Sequence, residues 1–164
     1  MSYPEKFDNA NLDNEQHLIL AGFFQRHKLF DNYLAENKIK LYTFPGCGYP
    51  TLTERCGYEI CSVCNWEDDI QDDEEADEIW GGPNYEPSLT ENRLNIGKQI
   101  KKIAEQTSGR VNTNPAMALN ILSRYDQKIE GLLETVPDDA DIDHPVFKQY
   151  KKEGQELLRQ LVAT

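Results

Sequence analysis

The sequence has no apolar run approaching the ~20 residues that span a bilayer, so no membrane-crossing helix is expected. Basic residues are scarce. Seventeen Lys and Arg stand against 29 Asp and Glu, for a net charge of −12. That deficit excludes a general nucleic-acid binder, which needs cations to displace counterions from phosphate, and it argues against docking on anionic lipid. The first eight residues, Met1 to Asp8, lack the basic start and apolar core of a secretory signal, and a cytoplasmic location is expected. Catalytic signatures are missing too. There is no G-x-S-x-G, no G-x-x-x-x-G-K and no G-x-G-x-x-G, and Gly81-Gly82 runs into Pro83, which marks a turn. His17, His27 and His144 are scattered and form no H-E-x-x-H. His27 reads as part of a solvated helix face, and His144 as a cap or loop residue. With no nucleophile–base or acid–base set, an enzyme is not expected.

What is present is polar but foldable. Apolar residues make up 38% of 164 and charged residues 28%, and a chain of this length buries roughly 70% of its unfolded surface. Residues 12–36 carry apolar side chains at helical spacing: Leu12, Ile19, Phe23, Phe30 and Leu34, widened by Leu18, Phe24 and Tyr33. Ser88-Leu89-Thr90-Glu91 is a capping box, and Leu89, Arg93, Ile96, Ile100 and Ile103 continue its helix until Ser108-Gly109. Asn114-Pro115 starts another, with a stripe through Ala118, Ile121, Leu122, Tyr125, Ile129, Leu132, Leu133 and Val136. After the polar loop 137–141, a last helix over about 145–162 presents Val146, Phe147, Tyr150, Leu157, Leu158 and Leu161. These stripes read as core.

Between the first and second helices the period breaks. Pro45, Gly46, Gly48, Pro50 and Gly57 punctuate residues 41–66, and all four cysteines lie there. Thr51-Leu52-Thr53 and Tyr58-Glu59-Ile60 read as paired strands of a hairpin. The fold expected is mainly α with a small β-hairpin, zinc-ribbon-like module (α+β) and about four helices. Its parts are an N-terminal helix (1–40), the ribbon-like module with an acidic loop (41–87) and a helical region (88–164) that packs with the first helix into one domain.

The cytosol is reducing, so the cysteines read as thiols or metal ligands. Cys61-Ser62-Val63-Cys64 is a C-x-x-C, a spacing at which two thiolates grip one zinc from a tight turn. A structural site needs a second pair. One hairpin upstream stands Phe44-Pro45-Gly46-Cys47-Gly48-Tyr49, with a single cysteine. Cys56 falls about four residues from either knuckle, more than ~10 Å away at strand rise, which leaves it outside the set.

At these residues the sequence resembles the cysteine-rich CPCC family, with its C-P-C-C-G-Y start, short hairpin, Y-x-I-C-P-V-C-x-W-E-D-D block and G-G-P-N…S-L-x-E-x-R. Pro45, Cys47-Gly48-Tyr49, Tyr58, Ile60-Cys61, Val63-Cys64, Trp66-Glu67-Asp68-Asp69, Gly81-Gly82-Pro83-Asn84, Ser88-Leu89, Glu91 and Arg93 match, over roughly residues 42–100. Phe44 and Gly46 stand where the family motif has cysteine, and Ser62 where it has proline. The resemblance implies a ribbon with ligands from both knuckles, of which Cys47, Cys61 and Cys64 remain. Three readings stay open: a three-cysteine site completed by a His, an acid or water; a metal-free knuckle with Phe44 packed into the vacated space; or redox chemistry at Cys61 and Cys64. The last is disfavoured because this C-x-x-C does not open a helix. The cofactor admitted is zinc with an incomplete ligand set, or none.

Residues 67–78 hold nine carboxylates and no cation: Glu67, Asp68, Asp69, Asp72, Asp73, Glu74, Glu75, Asp77 and Glu78. The rest of the chain carries only −3. The run lacks the sixth-position glycine and ligand spacing of an EF-hand, so calcium is not expected. It reads either as a solvated loop or as a partner-binding surface. The second reading draws on its flanking Trp66 and Trp80, since tryptophan is enriched at binding hot spots and charge steers a basic partner. The function expected is therefore an acidic binding protein. Its most concrete form is an immunity protein that neutralises a basic bacterial toxin domain such as a nuclease by direct binding, without contacting nucleic acid or membrane. The family resemblance points the same way, toward accessory genes of toxin and mobile-element neighbourhoods without an established enzyme activity. The alternative is a zinc-ribbon adaptor that binds protein in transcription or translation.

Overall fold

The computed structural model describes residues 6–163. Its elements are four helices, α1 (Asn14–Glu36), α2 (Leu89–Gln106), α3 (Pro115–Leu133) and α4 (Pro145–Ala163), with short 3-10 turns at Asp73–Glu75 and Gly82–Asn84. None of these helices is long and apolar enough to cross a membrane. The chain divides into two compact units, Met1–Lys101 and Lys102–Thr164.

The first unit begins with α1. Asp13 caps it by accepting from the Gln16 N–H at 2.8 Å, and the Gln16 side chain accepts from the Asp13 N–H at 3.0 Å. Ile19, Phe23, Phe30 and Leu34 form its buried stripe, while Leu18 and Phe24 stay exposed. The apolar face is thus narrower than the sequence pattern suggests. At Gly97 of α2 an added Cβ would collide with the Ile19 Cγ2, so α1 and α2 meet where glycine leaves the room. Leu89, Leu94, Ile96 and Ile100 are the buried apolar residues of α2 in this unit.

The second unit pairs α3 with α4, which residues 134–144 connect. Ala118, Ile121, Leu122, Tyr125 and Ile129 are buried on α3, and Val146, Leu157, Leu158, Leu161 and Val162 on α4. Asn114 caps α3 through the Met117 N–H at 3.1 Å, and His144 accepts from the Val146 N–H at 3.2 Å at the start of α4. The Asn112 N–H reaches the Val162 carbonyl at 2.9 Å and closes the unit.

The expected β-hairpin is absent. Among the described residues there is no strand, only isolated bridges pairing Lys6 with Glu78, Tyr42 with Leu52 and Ile60 with Glu67. The fold is all-α rather than α+β. The reason lies in residues 53–59. Cys56 and Tyr58 have φ of 63° and 59°, a left-handed geometry that no strand contains. The Glu59 carboxylate accepts the Thr53 and Glu54 N–H groups at 3.1 and 3.0 Å, taking donors that a ladder would need. Leu52 and Ile60 consequently pair with opposite flanks of the loop and not with each other.

Candidate metal centre and acidic surface

Two knuckles of the first unit are built alike. In the first, the Phe44 N–H donates to the Tyr49 carbonyl at 2.8 Å, and the Gly48 N–H returns to the Phe44 carbonyl at 2.8 Å. In the second, the Cys61 N–H donates to the Trp66 carbonyl at 2.9 Å, and the Asn65 N–H returns to the Cys61 carbonyl at 2.9 Å. The fifth residue is left-handed in both, with φ of 81° at Gly48 and 62° at Asn65. Gly48 has a second reason to be glycine, because its Cβ would press on the α1 backbone at His27 N, 3.3 Å away. The Arg26 Nε donates to the Cys47 carbonyl at 2.7 Å and fixes this knuckle to α1.

The knuckles bring Cys47, Cys61 and Cys64 together, with their sulfurs within 4.8 Å of one another. Cys47 and Cys61 are fully buried, and Cys64 is part-exposed. The Cys47 and Cys61 sulfurs are 3.6 Å apart. That is far longer than a disulfide and close to the ~3.8 Å between ligands of a tetrahedral zinc with bonds of about 2.3 Å. The Cys64 N–H donates to the Cys61 sulfur and the Trp66 N–H to the Cys64 sulfur, the turn geometry that supports metal-bound thiolates. The Thr51 hydroxyl lies 3.1 Å from the Cys61 sulfur. Burial alone would raise the Cys61 thiol, but hydrogen bonds from Cys47, Cys64 and Thr51 hold it well below its ordinary value. Burial pushes Cys47 and Cys64 well up. A soft cation at the three sulfurs would supply the charge that lets all three ionise. The donor set fits such an ion. Cys56 is exposed and lies outside the cluster, as its sequence position implies.

The acidic run divides into internal and external groups. Asp68 is 1% exposed. One of its oxygens accepts from the Cys56 N–H at 2.6 Å and the Arg55 Nε at 3.2 Å. Arg55 also reaches Asp72 at 3.0 Å. Asp69 accepts from the Gln71 N–H at 3.2 Å and from the Asn84 side chain at 3.2 Å. Asp73 pairs with Arg93 at 2.7 Å, Asp77 accepts from Thr90, and Glu78 accepts from the Trp80 indole at 2.9 Å and meets Lys6 at 3.9 Å. The Glu67 backbone is clamped by Asn84, whose amide accepts its N–H at 2.8 Å and donates to its carbonyl at 2.9 Å. The cations missing from the run therefore come from residues 6, 55 and 93. Glu74 is exposed, and neither Glu74 nor Glu75 has an ion pair among the described residues. Of the two aromatics, Trp66 is buried at 4% and Trp80 lies at the surface.

Sequence reasoning missed Arg55, Asn84 and Thr51 as parts of these sites. The one available signal was Arg55, a lone cation between cysteines preceding a run of acids. His27 is also less free than expected. Its Nε2 lies 3.1 Å from Asp31 and its Nδ1 3.0 Å from the Thr43 hydroxyl.

A groove of about 940 Å³ opens in the first unit between the residues after α1 and the acidic 3-10 turn. Asp31, Asp72, Asp73, Glu74 and Glu75 line it against the cations Lys38, Lys40 and Arg55, an excess of negative charge, together with Tyr42 and Ile70. Both apolar side chains are solvent-facing, at 49% and 55% exposure.

Comparison with protein families bears on this segment. Residues 42–111 match the family model described as cysteine-rich CPCC. The segment is a cysteine-rich CPCC module. Comparison with curated proteins and with solved structures returns no match. The CPCC module contains both knuckles, the acidic run, the Asn84 clamp and α2.

Proposed function

We propose that this chain is a non-catalytic, acidic protein-binding molecule that neutralises a basic partner by direct contact. In its concrete form it is a cytoplasmic immunity protein for a bacterial toxin domain, such as a nuclease, whose phosphate-gripping surface is cationic. The observation that carries this reading is the groove beside the CPCC module. Glu74 and Glu75 offer charge not spent on internal ion pairs, and exposed Tyr42 and Ile70 offer apolar area beside it. Such a surface steers a cationic partner at long range and then buries the stems of its Lys and Arg side chains. The internal acids, Asp68 above all, hold the loop in place so that the external ones are presented in a fixed geometry. We assign zinc to Cys47, Cys61 and Cys64, where it would lock the two knuckles that carry the acidic run.

The test is binding of the isolated partner to the wild-type chain and to the double variant Glu74→Gln, Glu75→Gln. Support would be affinity that falls steeply with salt and falls again in the variant, with an unchanged melting temperature. Affinity indifferent to both would refute the acidic-surface mechanism. The cysteine cluster favours a second reading, a zinc-ribbon adaptor that recognises a component of transcription or translation. That reading requires partner release on chelation.

A further inference from the structure

The likeness of the two knuckles assigns roles position by position. Their shared hydrogen-bond pattern and left-handed fifth residue align Cys47 with Cys64, Gly48 with Asn65, Tyr49 with Trp66 and Phe44 with Cys61. Each knuckle thus has two ligand positions, the first and the fourth. Three of the resulting places hold cysteine, and the other holds Phe44.

Phe44 is completely buried. A Cβ at Gly46 would lie 2.9 Å from its ring and 2.5 Å from the Asn92 amide, so the glycine makes room for the phenyl group. The ring and the glycine are one accommodation. Among the described residues no His, Asp or Glu joins the three sulfurs to replace the missing ligand. Cys56 is turned away in a left-handed loop, its N–H held by Asp68. The Thr51 hydroxyl already serves the Cys61 sulfur. Cys64 alone of the three is a part-exposed residue, so the centre lies nearest to solvent on its side.

We propose that Phe44 stands in the place of a fourth ligand, and that the centre binds its metal through three thiolates and one exchangeable small donor from solvent. This inference rests on the zinc assignment above. A closed four-thiolate site is purely structural, whereas an open position accepts a small anion or thiol without unfolding the knuckles. The chemical class of the incoming ligand is a compact anion or thiolate, since a thiolate-held soft metal takes such donors and only Cys64 of its three ligands is part-exposed.

The experiment is cobalt(II) loading of the full chain, read by its visible spectrum, with azide as the added probe and alkylation as a count of protected cysteines. The expected result is one cobalt per chain, Cys56 alkylated, the other three protected, and a spectral shift on adding azide. Cys64→Ser should weaken cobalt binding by more than about 10-fold, the least that loss of even an outer-shell partner costs, while Cys56→Ser leaves it unchanged. Phe44→Cys should add a fourth thiolate's charge-transfer intensity and abolish the azide shift. If that variant does not fold, the azide response and the protected-cysteine count of the wild type decide alone. Failure to take up metal would overturn this inference and the zinc assignment together. Uptake with a spectrum indifferent to azide, or with Cys56 protected, would overturn this inference and leave the zinc assignment standing.

Discussion

Arg93 and Asp73 meet at 2.7 Å although the first side chain is 3% exposed and the second 61%. The guanidinium reaches out from the interior. Its Nε donates to the Pro45 carbonyl at 2.7 Å, and its Cζ lies 4.2 Å from the centre of the Phe23 ring. Burial lowers the Arg93 pKa from its usual value, and Asp73 works against that. One cation therefore ties α2, the first knuckle, α1 and the acidic turn together. We expect Arg93→Met to cost about 3 kcal/mol in urea denaturation, because the Pro45 carbonyl loses its donor and the turn loses its anchor. Asp73→Asn should cost less than about 1 kcal/mol, since its exposed carboxylate is screened by solvent. Equal losses would refute the anchoring role.

The acids of the run should separate in the same assay. Asp68→Ala leaves the Cys56 N–H without its acceptor and removes one of the two carboxylates on Arg55, which keeps Asp72, and its expected cost is about 1–3 kcal/mol. Glu74→Gln should change stability by no more than about 0.5 kcal/mol, as for any exposed group without partners. Similar values for the two would mean that the run is a uniform solvated loop.

Glycines test the helix packing. Gly97→Ala drives a methyl group into Ile19 and should destabilise by about 1–3 kcal/mol. Gly131 in α3 has open space where its Cβ would go, so Gly131→Ala should stabilise by up to about 1 kcal/mol through helix propensity. Thermal unfolding of the two variants should shift in opposite directions. A neutral Gly97→Ala would show that α1 and α2 do not cross closely at this point.

Removal of metal should lower the melting temperature, because ligand binding to the folded state alone is folding free energy. A chelator titration followed by circular dichroism checks this. The effect should vanish in Cys61→Ser, which removes the sulfur on which the cluster's hydrogen bonds converge.

The helices were legible because their signals are local. The Ser88–Glu91 capping box forms as written, with the Glu91 N–H donating to the Ser88 hydroxyl at 3.1 Å. Asn114 and Pro115 start α3 where their chemistry requires. The three-cysteine cluster followed from turn spacing and from the family resemblance. The hairpin fails because alternation in two short segments does not name their partners, and the left-handed positions are Cys56 and Tyr58 on either side of Gly57 rather than the glycine itself. Leu18 and Phe24 are apolar residues beside a stripe, and only the packed structure tells stripe from flank. The acidic run looked uncompensated because its cations lie far off in sequence, Arg55 beside Asp68 and Arg93 beside Asp73.

The central claim is that the external acids of the CPCC module bind a basic protein. Its most direct measurement is affinity capture from the producing cell with the wild-type chain and with Glu74→Gln, Glu75→Gln as paired baits, each washed at low and moderate salt. The account predicts a single basic protein held by the wild type, released by salt and lost with the double variant. Equal retention by both baits at both salt concentrations would contradict it.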